Sequence, residues 1–200
     1  TRSKMKLILA TSNKGKLKEV REILPEYDIV TMSEAGIHDE IEENGTTFDE
    51  NAYINATYVC DRLGEVTIAD DSGLCVDALN GAPGVYIARF GGEGLDDTGR
   101  YRLLLQMMHG QADRRAHFHT TITCAFPNGD VLQDDGEVEG TIAFAPMGEN
   151  GFGYDPVFLV PSLRRTFAQL TAEEKNAISH RGNAVRKFAG ELKVYLANNE

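Results

Sequence analysis

Four short polar stretches carry the side chains that could do chemistry, and each lies where an apolar run breaks off. The first is Thr11-Ser12-Asn13-Lys14-Gly15-Lys16, between the apolar "KLILA" and the helix-patterned "LKEVREIL". Free N–H groups and the dipole at a helix N-terminus favour an anion, and Lys14 and Lys16 add positive charge. The spacing is not that of a Walker A loop. The stretch therefore predicts either an anion site or a plain strand-to-helix turn capped by Ser12 or Asn13. The second is Asp70-Asp71-Ser72-Gly73, expected to end the strand "VTIA". Side chains alternate along a strand, so the two carboxylates should point to opposite sides. One could then hold Mg²⁺ through hard oxygen while the other braces the loop. A polar turn would use the same residues.

The third stretch, Glu42-Glu43, precedes Thr46-Thr47 and offers a second carboxylate to a metal, or is a solvated acidic loop. The fourth combines "GFGYD" with "SHRG". Phe152 between two glycines suits stacking on a flat ring, and Asp155, His180 and Arg181 could read hydrogen bonds at that ring's edge. Core packing for Phe152 and an ion pair for Arg181 are the bland alternatives. His117 and His119 alternate along one strand without a carboxylate at similar spacing, and are expected to be surface histidines.

The elements that must position these residues follow from periodicity. "KLILAT" then "KLKEVREIL" predicts a buried strand, a tight turn and an amphipathic helix bearing Leu17, Val20 and Leu24. Thr47-x-x-Glu50 opens a second helix with a capping-box pattern, and Gly64 suits its end. Thr98 is expected to cap a helix through "RYRLLLQMM". "AHFHTTITCAF" alternates, with Ala116, Phe118, Thr120, Ile122, Cys124 and Phe126 on one face, and "PNGD" turns it into an antiparallel partner. Strand "PVFLV", a second capping box at Thr171-x-x-Glu174, and a last helix with Val185, Phe188, Leu192 and Tyr195 complete the chain. This order predicts a mixed-sheet α/β fold.

Bulk properties bound the function. Two hundred residues suffice for one domain, with 42% hydrophobic and 26% charged residues. Thr1–Lys4 precede Met5 and are expected to be an expression remnant, leaving a single domain over 5–197. Twenty basic against 31 acidic residues give a net charge of −11, which argues against a nucleic-acid polymer as partner but not against a small phosphorylated ligand. No apolar run reaches the ~18 residues of a membrane span. Cys60, Cys75 and Cys124 form no C-x-x-C, so a reducing, cytoplasmic setting is expected.

Taken together, the segments "ATSNKGKLKEV", "TFDENA", "IADDSGLCVDALNGAPGVYIARF", "GFGYDPVF" and "EKNAISHRGNA" resemble the inosine triphosphate pyrophosphatase family, from about Met5 to Ala197. The resemblance implies a long mixed central sheet with helices on both sides and two lobes flanking a substrate cleft. It implies Mg²⁺-dependent hydrolysis of noncanonical purine nucleoside triphosphates (dITP, ITP, XTP) to monophosphate and pyrophosphate, commonly by a homodimer. Thr11, Ser12, Asn13, Lys14, Gly15 and Lys16 are then implied to line the triphosphate site. Asp71 is implied as general base and metal ligand, Glu42 as the partnering metal ligand, and Ser72 as a substrate contact. Phe152, Gly153, Tyr154 and Asp155 are implied to form the base pocket, closed by Lys175, His180 and Arg181.

One position departs from the family pattern, because Asn55 stands where that pattern usually has a lysine. An amide brings no charge to a triphosphate, so slower turnover is expected. The alternatives are a nucleotide-binding module with little catalysis, or a nucleotide pyrophosphatase of the septum-formation-inhibitor type.

Overall fold

The computed structural model describes residues 3–199; Thr1 and Arg2, the start of the expected remnant, lie outside the described residues. The chain divides into two compact units. The first comprises residues 1–71, 120–136 and 180–200, and the second 72–119 and 137–179. The described residues form strands β1 (Lys6–Leu9), β2 (Asp28–Thr31), β3 (Thr67–Val76), β4 (Pro83–Gly84), β5 (Arg115–Ala125), β6 (Val131–Ile142), β7 (Phe158–Val160) and β8 (Arg165–Thr166) and five α-helices. These are α1 (Lys14–Ile23), α2 (Phe48–Leu63), α3 (Asp97–Met107), α4 (Ala172–Ile178) and α5 (His180–Asn198). Three strands, β3, β5 and β6, each run from one unit into the other.

In the first unit β1 pairs in parallel with β2 and with β3, and the strand order continues through β5 to β6. The alternation of β1 divides two apolar layers. Leu7 and Leu9 pack with Val20 and Leu24 of α1 and with Phe188 and Leu192 of α5. Ile8 packs instead with Ala56 and Val59 of α2. Helices therefore cover both faces of a mixed sheet, as the α/β reading expects. The second unit has its own core, in which Leu104 and Met108 meet Phe118, Phe158 and Phe167. The rings of Phe118 and Phe167 stack at 5.7 Å. There β6, β7 and β8 pair antiparallel and β4 pairs with β3.

Three expectations change. Strand β2 was not foreseen: Asp28–Thr31 is too short for a period to register, and it forms because β1 offers an edge. The strand expected to stop at Asp70 continues through Asp71 to Val76, because "GLCV" carries on the buried run and Leu74 and Cys75 pair with β4. Helix α3 is capped by Asp96, whose carboxylate accepts from the Gly99 N–H at 2.8 Å, so Thr98 falls inside the first turn. Gly64, with φ of +65°, ends α2 as expected.

Candidate functional site

In the first unit, α1 starts where β1 ends, and Asn13 is its cap, its side-chain oxygen accepting from Lys16 N–H at 3.1 Å. The hydroxyl of Thr11 in turn accepts from Asn13 N–H at 3.1 Å. No acidic residue lies in the first turn, Ser12 and Lys14 are exposed, and Gly15 is half-buried. Lys14 has no ion-pair partner among the described residues, whereas Lys16 reaches Asp70 at 3.4 Å. The turn thus presents positive charge and a helix dipole of the same sign, a combination suited to an anion.

Asp70 and Asp71 diverge, as alternation along a strand requires. Asp70 accepts from Arg181 Nε at 3.0 Å. Arg181 is buried at the start of α5 and also pairs with Glu19 of α1. Burial opposes its charge, but Asp70 and Glu19 outweigh that and hold the guanidinium charged. This ion cluster ties α1, β3 and α5 together within the first unit. His180 beside it is buried, and α5 can begin so close to β6 because residue 136 is glycine: a Cβ there would collide with the His180 carbonyl and the Ala184 backbone.

Asp71 turns instead toward α2, where its Oδ2 accepts from Asn51 Nδ2 at 3.2 Å. Asn51 Oδ1 accepts from Gly45 N–H at 3.0 Å, so one amide joins the acidic loop to Asp71. Gly45 is required by that approach, since a Cβ would lie 2.6 Å from Asn51 Oδ1. One turn further along α2, Asn55 Nδ2 donates to Glu43 Oε1 at 2.8 Å. Burial lifts the Asp71 carboxyl to about 7; Lys16 pulls it down, Glu43 pushes it up, the Asn51 hydrogen bond lowers it and Asp70 raises it. A carboxyl poised near neutrality is what a general base needs. Glu42 is exposed, and no described residue bonds to it.

These residues fit the divalent cation that the resemblance implies. Glu43 and Asp71 offer hard carboxylate oxygens, and the buried Oδ1 of Asn55 accepts no hydrogen bond from any described residue. Magnesium and its like take such oxygen donors.

The second unit holds the other expected residues. Ser72 is buried on β3. Asp155 Oδ2 accepts from Lys175 Nζ at 2.6 Å and from Phe152 N–H at 3.0 Å. Lys175 Nζ also lies 4.7 Å from the Phe152 ring centroid, a cation–π contact. Phe152 itself is half-buried, so its ring is neither a core residue nor free of its surroundings. Gly151 has φ of +73° and a Cβ there would collide with Asp155 Oδ2, so only glycine fits. Gly153 N–H donates to Asp97 Oδ2 at 3.1 Å. Tyr154 is buried in the core of this unit, its hydroxyl donating to the Ile87 carbonyl at 3.0 Å. His119, expected at the surface, is half-buried with Nδ1 2.8 Å from Glu137 across β5 and β6. The carboxylate missing at sequence spacing is supplied by the neighbouring strand.

Asn51 and Glu19 were missed by the sequence reading. Asn51 sits at i−4 from Asn55 on the buried face of α2, a polar pair in an apolar stripe, and that was the available signal. Glu19 likewise breaks the buried face of α1 beside Val20.

An α/β protein with a cationic helix terminus beside buried hard-oxygen donors belongs to the class that handles phosphorylated ligands. The Ham1 family model matches residues 7–191, and the chain belongs to that family. It is 47% identical over 194 residues to the dITP/XTP pyrophosphatase of Exiguobacterium sp. (strain ATCC BAA-1283 / AT1b), covering 96% of this chain and 99% of that one. The protein of the same name from Bacillus subtilis (strain 168) is 45% identical over 186 residues, covering 91% and 94%. The solved structure of the Staphylococcus aureus Ham1 protein superposes with a TM-score of 0.84 at 40% identity, covering 98% of this chain and 100% of that chain. A HAM1 protein from Coxiella burnetii gives a TM-score of 0.86 at 42% identity, covering 94% and 98%.

Proposed function

We propose that this chain is a nucleoside triphosphate pyrophosphatase that hydrolyses dITP, ITP and XTP to the monophosphate and pyrophosphate with Mg²⁺. The observation that carries the reading is Asp71. It is a buried carboxyl lifted to about 7 and held by Asn51, with the charge of Lys16 lowering its pKa and that of Glu43 raising it. Relatives of that name, matched along nearly their whole length, support the same activity.

Thr11–Lys16 bind the triphosphate through backbone N–H groups, the Thr11, Ser12 and Asn13 side chains and the two lysines. Asp71 takes the proton of the attacking water at its carboxylate, and attack falls on the α-phosphorus. Lys14 and Lys16 stabilise the charge that develops on the leaving pyrophosphate. Asp71, with Glu42 and Glu43, would hold the cation, which when bound would neutralise phosphate charge and lower the pKa of nearby water. Ser72 contacts substrate; Phe152, Gly153, Tyr154 and Asp155 receive the base, with Lys175, His180 and Arg181 as its further contacts. A C6 oxygen is an acceptor where adenine carries an amino donor, so donors such as Lys175 reject adenine at a cost of about 1–3 kcal/mol. A homodimer and a cytoplasmic location complete the reading. Among the described residues no helix is long and apolar enough to cross a membrane.

The test is a product assay with Mg²⁺ and ITP, XTP, dITP, ATP or GTP. Monophosphate plus pyrophosphate from ITP, dITP or XTP is the expected result. Diphosphate plus phosphate, or equal rates on ATP, overturns it.

A further inference from the structure

Asn55 lies on the inner face of α2 and is only 5% exposed. Its amide has one fixed orientation. The neighbour at 2.8 Å is a Glu43 oxygen, and an ionised carboxylate only accepts, so the amide nitrogen must face Glu43. The amide oxygen therefore points elsewhere, and it is buried without a hydrogen-bond donor among the described residues. A buried acceptor left in that state is costly.

The surroundings decide what would satisfy it. Asn51 and Asn55 are one turn apart, so their side chains share a face of the helix. Asn51 has its nitrogen on Asp71 and Asn55 has its nitrogen on Glu43. Each amide nitrogen of that face thus gives a hydrogen to a carboxylate, and Lys16 is paired with Asp70. The oxygens of that face are the Glu43 and Asp71 carboxylates and the Asn55 amide oxygen. Two carboxylates repel an anion and attract a hard divalent cation, which takes amide carbonyl oxygen alongside carboxylate.

We propose that Asn55 is itself part of the divalent-cation site, contributing its amide oxygen as a ligand to a cation shared with Glu43 and Asp71 while its amide nitrogen positions Glu43. The inference rests on the proposed metal dependence and goes beyond it by adding a neutral donor from the helix.

The test is Mn²⁺ binding to the nucleotide-free protein, read as loss of the free-ion electron paramagnetic resonance signal. Wild type is compared with Asn55→Leu and Asn55→Asp, each checked for folding by circular dichroism. Asn55→Leu is expected to weaken Mn²⁺ binding at least tenfold. Asn55→Asp, which keeps an oxygen donor and cannot donate to Glu43, is expected to bind as tightly as wild type or tighter. Should Asn55→Leu fail to fold, Asn55→Ala replaces it with the same expected loss. Undiminished binding by Asn55→Leu or Asn55→Ala overturns the inference and leaves the metal-dependent reading standing. A loss in Asn55→Asp as large as in the donor-free variants overturns it too, since the nitrogen contact would then be what matters. No Mn²⁺ binding by wild type at millimolar concentration would sink the cation reading itself, and the inference with it.

Discussion

Replacing Asp71 with asparagine should make the metal-free protein more stable while removing its activity. The carboxyl is 6% exposed and is lifted by burial from 3.8 to about 7. An acid whose folded pKa is raised binds its proton more tightly in the folded state. Folding stability is therefore highest below the unfolded pKa, falls as pH rises from about 4 to 7, and is level above. A rise of about three in pKa amounts to about 4 kcal/mol lost at pH 8. Asparagine has nothing to ionise, and its oxygen can still accept from Asn51. The variant should match wild type near pH 4 and pull ahead through pH 7. Above that the gap should hold at about 8–16 °C in Tm for a chain of this length. The assay is thermal unfolding at half-unit steps from pH 4 to 8.5, chelator present. Subtracting the two curves cancels every other titrating group that is not coupled to Asp71. Mg²⁺ should raise the wild-type Tm more than that of the variant, and turnover of ITP should fall by about 10²–10⁴-fold, the usual contribution of a general base. A pH-independent gap, or one smaller than about 2 °C at pH 8, would show that Asp71 is not the strained buried acid described above.

Lys175→Met should remove a buried ion pair, because Lys175 Nζ lies 2.6 Å from Asp155 Oδ2. A loss of about 3–5 kcal/mol is expected, seen as a fall in Tm that Asp155→Asn partly restores in the double variant; an unchanged Tm would refute it. Asn55→Lys removes the amide oxygen and should weaken Mn²⁺ binding, but once Mg²⁺ is saturating the charge it brings to the triphosphate should raise kcat/KM for ITP several-fold, and the same kcat/KM as wild type would count against the expected slow turnover.

Local sequence was enough for most elements, β2, the far end of β3 and the cap of α3 apart, and for the residue types of the candidate positions. Thr47 and Thr171 cap their helices because a side-chain hydroxyl at the cap reaches a backbone N–H three residues on. The alternation of β5 was legible because its first half buries one face only. Local periodicity carries no information about partners distant in the chain. It could say that Asp70 and Asp71 diverge, but not that Arg181 waits 111 residues away for one and Asn51 for the other. Nor could it find Glu19 and Asn51, whose roles exist only once α1 and α2 have packed and excluded water. Glu42 and Glu43 are alike in sequence; only the docking of the loop against α2, through Gly45 and Asn55, tells them apart. Tertiary structure decided the electrostatics for the same reason. A carboxylate's pKa is set by which charges and how little water surround it, and neither is a property of the residues beside it in the chain.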